Sequence, residues 1–191
     1  MADGIKLALN DQAVLDRLAQ LTRAADNPQR AMEAIGAYMV TASQRRFQRE
    51  TGPDGQKWQR LSPRTAQRRI GRAQRGYEHI LRVKNRLYSS IVYEAEPDRV
   101  EIGTGVAYAA AQQLGAEIKI PAREQDVHLG QTNRGKRFVK ASRKRKETMR
   151  VKIGAHTITL PARPYLGVDQ ADQAEILAIA EDFLRSEAGE Q

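Results

Sequence analysis

Cysteine is absent from the 191 residues. That excludes a disulfide scaffold, thiol catalysis and Cys-ligated zinc, and it fits assembly in a reducing cytoplasm. Aromatic residues make up only 5%, so the core must be mostly aliphatic and Ala-rich. No stretch approaches the ~20 consecutive apolar residues of a bilayer span, so no membrane-spanning helix and no membrane partner is expected. The opening MADGIKLALN carries one Lys and no apolar run of signal-peptide length.

Catalytic patterns are missing as well. His79, His128 and His156 lie far apart, with no His-x-x-His or His-Glu-x-x-His spacing. His128, His156 and Asp126 are a conceivable metal set, but isolated surface histidines are the stronger reading, so no metal is expected. There is no Gly-x-x-x-x-Gly-Lys-Ser/Thr loop and no Gly-x-Ser-x-Gly elbow. Gly103-Thr104-Gly105 lacks the third glycine of a dinucleotide fingerprint, and Ser89 and Ser90 have no nearby His. The acidic residues within the basic regions are scattered, unlike those of a two-metal nuclease. No catalytic residue and no cofactor is assigned, and the chain is not expected to be an enzyme.

What the chain does have is positive charge. Lys and Arg number 32 against 23 Asp and Glu, a net of +9, with a pI near 10.0 and a mean hydropathy of −0.64. Such a balance speaks of partners rather than fold: nucleic acid, an anionic surface or an acidic protein. The charge is blocked. Arg45 to Arg86 holds 13 basic and 3 acidic residues, net +10. Glu117 to Lys152 holds 12 and 4, net +8, and Gln170 to Gln191 holds 1 and 6, net −5. A basic middle and an acidic end can attract between copies as well as bind DNA.

The hydrophobic share of 40% and the length suit a single domain over residues 1–191. Residues 10–50 read as helical. Asn10 or Asp11 caps a first helix with Val14, Leu15, Leu18 and Leu21 on one face. Asn27-Pro28 starts a second, reaching about Arg49, with Ala31, Ile35, Tyr38, Met39 and Ala42 on one side. Thr51-Gly-Pro-Asp-Gly55 is a tight turn. Ser62-Pro63 starts a third, Arg-rich helix. Ile91–Tyr93 and Arg99–Gly103 read as strands joined at Glu96-Pro97-Asp98, and Tyr108–Leu114 as a short helix stopped by Gly115. Ile118-Lys-Ile-Pro-Ala-Arg123 recurs as Ile158-Thr-Leu-Pro-Ala-Arg163, which predicts an antiparallel pair ending at Pro121 and Pro161. Residues 124–150, rich in Lys, Arg, Gly, Asn and Gln, read as a long, basic, mobile loop. Asp169 caps a final amphipathic helix over 169–187, with Asp172 in capping-box position. The fold class is therefore α+β. A small antiparallel sheet of about four strands packs on the long second helix and the C-terminal helix, with the basic loop beside it.

Candidate contact residues follow from charge and exposure. Arg68, Arg72 and Arg75 fall on one helix face at spacings of 3 and 4. Arg143, Lys144, Arg145 and Lys146 form a compact cationic run. Each group is a candidate DNA or partner contact through phosphate-like charge, or simply a solvated surface. Neither has interleaved aromatics for base stacking, and Phe138 alone is no platform, so contact with DNA would be nonspecific. Trp58, after the Gly-Pro-Asp-Gly turn, is either a binding anchor or a core or hinge anchor.

Several of these pieces form an ordered series: Phe47 with Glu50, Gly52-Pro-Asp-Gly55, Trp58, Leu61-Ser62, Thr65, Ile80-Leu81 and Leu87-Tyr-Ser-Ser-Ile91. Val100-Glu-Ile-Gly-Thr104, Tyr108-Ala109, Gln113-Leu-Gly115 and Ile158-Thr-Leu-Pro-Ala-Arg-Pro-Tyr-Leu-Gly167 continue it. The series resembles the phage virion morphogenesis family of Mu-like phages and prophages, which is grouped with the tail-completion proteins of P2-like phages. The likeness runs from about Gly36 to Leu184. The basic insert between the two Pro-Ala-Arg copies departs from it. The resemblance implies a non-catalytic structural protein that completes the tail or joins it to the DNA-filled head. It implies self-association into a ring, often hexameric, and contact with tail-tube, tail-terminator or connector proteins. It places the protein in the bacterial host cytoplasm during assembly and then in the virion neck or tail. With that role, Trp58, Arg163, Tyr165 and Leu166 are candidate interface residues. A nonspecific DNA-binding protein of packaging or transposition is the alternative.

Overall fold

The structure is a computed structural model and describes residues 5–6, 12, 14–16, 19, 28–70, 79–132 and 135–187. The chain divides into two compact units, residues 1–115 with 161–191, and residues 116–160.

The first unit contains helices α1 (Gln29–Arg49), α2 (Pro63–Ile70), α3 (Arg86–Ser89), α4 (Ala109–Leu114) and α5 (Gln170–Glu187). Its strands are β1 (Ile5–Lys6), β2 (Val92–Ala95) and β3 (Val100–Thr104), in sheet order β1-β3-β2. Helix α1 buries Ala31, Met32, Ile35, Met39, Ala42 and Phe47. The recurring 3- and 4-residue steps keep these on one stripe. Pro28 occupies the N-cap position in helical geometry, one place earlier than the sequence reading put it, and Asn27 lies outside the described residues. Hairpin β2–β3 pairs Val92 with Gly103 through Ala95 with Val100, and Glu96 N–H donates to the Arg99 carbonyl at 2.8 Å across its turn. One glycine lets sheet and helix meet. A Cβ on Gly36 would stand 2.4 Å from Cδ2 of Tyr93, so the Tyr93 ring lies where any larger residue on α1 would be. The described residues around Val14 are helical, and Val14 is buried in the same core; Asn10, Asp11, Leu18 and Leu21 are not described.

The ends of α1 and α5 meet through charge. Asp169 N–H donates to Asp172 at 3.0 Å and Asp172 N–H to Asp169 at 2.9 Å, the reciprocal capping box expected from the spacing. Arg46, in the last turn of α1, donates to the Asp172 carboxylate, to Asp169 at 3.2 Å and to the Gly167 carbonyl at 2.8 Å. The Tyr38 hydroxyl donates to the other Asp172 oxygen at 3.0 Å. Burial pushes the Asp169 carboxyl up. The Asp172 backbone N–H and the Arg46 guanidinium outweigh that and hold it below the ordinary value. Both helix dipoles favour the arrangement, with the cation at a C-terminus and the carboxylates at an N-terminus.

The second unit is built from β4 (Ala116–Ile120), β5 (Arg123–Thr132), β6 (Gly135–Phe138), β7 (Glu147–Ile153) and β8 (His156–Leu160). The two Pro-Ala-Arg copies pair as expected: β4 and β8 run antiparallel with Ile118 opposite Ile158, and Pro121 and Pro161 follow the last paired residues. Strand β5 then pairs with β7, Arg123 opposite Ile153 through Leu129 opposite Glu147, and with β6 on its other edge. The pairing offset is the same in both ladders, so Ala116–Leu129 and Glu147–Leu160 form one antiparallel ribbon, interrupted only at Pro121-Ala122 and Gly154-Ala155.

Two expectations are corrected here. Residues 124–150 are not a long loop, since β5, β6 and β7 take all the described ones but the eight-residue connection 139–146. The alternation of Val127 and Leu129, and of Met149, Val151 and Ile153, is the strand signal; the density of Lys, Arg, Gly and Gln obscures it. The α+β class holds, with helices and small antiparallel sheets, but the described residues do not form one sheet of about four strands. The described residues form sheets of three, two and three strands, because the second unit pairs within itself. Among the described residues no helix is long and apolar enough to cross a membrane.

The Arg46–Asp172 pair generates a stability prediction. Both side chains are nearly dry, at 6% and 4% exposure. Asp172→Asn leaves a buried guanidinium short of its counter-charge and should cost about 3 kcal/mol. Urea unfolding measures it, with exposed Ser186→Ala as a control expected to stay within about 0.5 kcal/mol.

Candidate functional site

The segment with the most specific sequence signature, Pro161–Gly167, forms neither helix nor strand, yet much of it is buried. Backbone in that position needs hydrogen-bond partners from elsewhere. Gln113, near the end of α4, supplies three. Its Oε1 accepts from the N–H groups of Tyr165 and Leu166 at 2.9 and 3.0 Å, and its Nε2 donates to the Leu166 carbonyl at 2.7 Å. Arg163 N–H donates to the Gln112 carbonyl at 2.7 Å. The Trp58 indole N–H donates to the Pro164 carbonyl at 2.8 Å. The Arg163 guanidinium donates to the Gln59 carbonyl from two nitrogens at 3.2 Å.

Side chains close the same junction. Phe47 meets Trp58 edge-on with centroids 5.4 Å apart, Tyr88 edge-on at 6.0 Å and Tyr165 at 5.0 Å. The Gly-Pro-Asp-Gly turn folds back on itself, Gly55 N–H donating to Gly52 at 3.1 Å and Trp58 N–H to Glu50 at 2.8 Å. A Cβ on Gly167 would lie 2.4 Å from Cγ of Pro53. Turn and segment therefore touch, and the two signature motifs are two sides of one contact.

This placement corrects the candidate interface. Trp58, Arg163, Tyr165 and Leu166 are 5%, 5%, 0% and 2% exposed. Their side chains are held in the unit's own core and offer almost no surface to a partner. The physical reason is polar pairing: the Trp58 indole satisfies the Pro164 carbonyl, the Arg163 guanidinium that of Gln59, and the Tyr165 hydroxyl donates to that of Ala109 at 3.3 Å. Burial, with Arg69 next in effect, lowers the Arg163 pKa. Burial likewise pushes the Tyr165 phenol up to about 12. Tyr38 is raised to about 12 by burial and by its bond to Asp172.

The cationic candidates are placed differently. Arg68 is exposed on α2, whereas Arg72 and Arg75 lie outside the described residues. Ser62 caps this helix as expected, accepting from Thr65 N–H at 3.3 Å. Arg143, Lys144, Arg145 and Lys146 are all exposed in the 139–146 connection. Arg143, Arg145 and Lys146 line a cavity of 470 Å³ with Leu129, Gln131, Lys136 and Glu147. Lys136 pairs with Glu147 at 2.6 Å. A second open cavity, of 680 Å³, lies between the end of α1, the Gly52–Gly55 turn and the start of α5. Its charged lining mixes signs, with Arg45 and Arg49 beside Asp54, Asp169 and Asp172. Among the described residues no group of three or more His, Asp or Glu is placed to hold a metal ion. His128 Nδ1 lies 3.0 Å from Thr148 Oγ1 and His156 Nδ1 lies 3.1 Å from the Gly154 carbonyl.

One surface escapes motif reasoning altogether. Phe138, Met149 and Val151 are 79%, 45% and 36% exposed. Its only sequence signal is the period-2 alternation within the basic stretch.

The tyrosines give a pH prediction. Unfolded phenols lose their protons near pH 10, whereas Tyr165 and Tyr38 hold theirs to about 12. The stability this gives is complete below pH 10 and is lost as the pH climbs from 10 to 12. Unfolding midpoints should fall over that window, and Tyr165→Phe should flatten the fall. An equal slope in both proteins would contradict the assignment.

No curated protein and no solved structure matches this chain. A family model does: that of the phage virion morphogenesis family, over residues 9–185. The match spans both signature motifs and the packing they create, and the chain belongs to the phage virion morphogenesis family.

Proposed function

We propose that the chain is a non-catalytic structural component that completes the phage tail or joins it to the head at the neck, acting as a ring-shaped oligomer. Family membership supports a structural role in virion morphogenesis. The observation that carries the finer reading is exposed apolar strand surface, with Phe138 at 79%, beside a cationic connection. Apolar side chains grouped this way on a surface mark sites that assembly covers. The partners this suits are further copies of the chain and the tail-tube, tail-terminator or connector proteins. The setting is the host cytoplasm during assembly and then the virion neck or tail. The test is genetic and structural together. A phage lacking this chain should accumulate DNA-filled heads and separate tails under the electron microscope, and adding purified protein to that lysate should restore infectious particles. Normal joined particles without the chain would overturn the reading.

A second reading, nonspecific DNA binding in packaging or transposition, is favoured by four consecutive exposed cations at 143–146. It demands a steep fall in DNA affinity with salt, each phosphate contact adding about 0.9 to the logarithmic slope. Flat salt dependence by the free protein removes it.

A further inference from the structure

The sheet β6-β5-β7 has two unlike faces. On one, opposite residues are polar and satisfy each other: Glu124 with Lys152 at 3.8 Å, Asp126 with Arg150 at 3.2 Å and His128 with Thr148 at 3.0 Å. The other face follows from the same register. Val127 lies opposite Met149, Gln125 opposite Val151, and Leu129 opposite Phe138. Directly opposed side chains point to the same side of a sheet. Phe138, Met149 and Val151 therefore share one face with Val127 and Leu129, and all three are exposed. Basic groups border it. Lys136, Arg143, Arg145 and Lys146 share a cavity with Leu129, where Glu147, opposite Leu129 on β7, neutralises Lys136 at 2.6 Å and leaves the other three cations in excess, and Arg123 stands at the far end opposite Ile153. The unit as a whole, residues 116–160, carries 12 Lys and Arg against 4 Asp and Glu, a net of +8.

An apolar face with a basic rim fits a surface of small apolar residues with an acidic rim. The same chain carries one. On α5, Ala171, Ala174 and Ala178 are exposed, with Glu175 and Asp182 exposed beside them. Steps of 3 and 4 put these on one stripe. The buried stripe of α5, Ile176 and Ala180, is a different one. Asp182 meets Arg185 at 3.5 Å on the surface, a pair that solvent weakens.

We propose that the apolar face of the β6-β5-β7 sheet docks on the acidic, Ala-lined face of helix α5 in a second copy of this chain. The proposal rests on the ring reading above and names the joint that would build it. Sheet-to-sheet contact between two copies is disfavoured, because it sets one +8 unit against another. DNA is disfavoured for this face, since Phe138, Met149 and Val151 offer nothing to a phosphate. The joint is heterologous, one surface against a different one, so repetition closes a ring if the rotation allows.

Two full-length variants test it, each altered only at exposed side chains and checked for native circular dichroism. The sheet variant is Phe138→Ser with Met149→Ser. The helix variant is Glu175→Lys with Asp182→Lys. Sedimentation velocity reads the masses. Wild type should form a discrete oligomer. Each variant alone should dissociate at least about tenfold more readily and run as a 21.4 kDa monomer. Mixed, the two should form a one-to-one heterodimer and stop there, because the helix variant still has a working sheet face and the sheet variant a working helix. A helix variant that assembles like wild type, a mixture that stays monomeric, or a monomeric wild type would overturn the proposal. Assembly that appears only with added duplex DNA would overturn it too. The complementation assay above separates the two ideas. If the joint forms in solution but phage without the chain still join heads to tails, the joint stands and the functional reading fails. If complementation succeeds with the sheet variant, the reading stands and the joint fails.

Discussion

A buried stretch of backbone outside any ladder organises the first unit. Pro161–Gly167 cannot supply its own hydrogen bonds, and leaving a buried peptide group unpaired costs more than a formed bond contributes. Several features around it answer that need. Gln113 binds three of its groups from the end of α4. Trp58 reaches Pro164 with its indole N–H while its ring packs on Phe47. Arg46 reaches Gly167 from α1 and meets the carboxylates that cap α5. The positions of α1, α4 and α5 are thus tied to one another through a segment that belongs to none of them.

The second unit is stabilised differently. Among the described residues, all the fully buried hydrophobic side chains belong to the first unit. The described residues of the second unit are instead held by ladder pairing and cross-strand polar pairs. Isolated small sheets are marginal in water without a covered apolar face. A sheet that keeps one face apolar and exposed is therefore suited to being completed by another surface, and its basic rim narrows which surface that is.

Much of the frame was legible in the amino-acid order because its signals are local. Asp169 and Asp172 announced a capping box and Gly52-Pro-Asp-Gly55 a turn, each a short-range pattern with a short-range consequence, and in the second unit the duplicated Ile-x-Ile/Leu-Pro-Ala-Arg announced an antiparallel pair. The strands within 124–150 were hidden, because their polar residues are cross-strand partners and look like loop composition until the register is known. The roles of Arg163, Tyr165 and Leu166 were hidden for a related reason, whereas for Trp58 the core anchor was one of the two readings and is the one found. Large aromatic and cationic groups suit interfaces and cores alike, and only the carbonyls of Gln59 and Pro164 decide between them. Those contacts span more than a hundred residues of sequence, beyond the range of any periodicity. Arg72 and Arg75, the rest of the predicted α2 stripe, fall outside the described residues.

Hydrogen exchange followed residue by residue tests the central claim most directly. If Pro161–Gly167 is the hub of the first unit, the amides of Tyr165 and Leu166 should exchange only through global unfolding, as slowly as those of Ile35 and Met39 within α1. Exchange of Tyr165 and Leu166 as fast as the exposed 139–146 connection would show that the segment opens on its own, and would contradict the account.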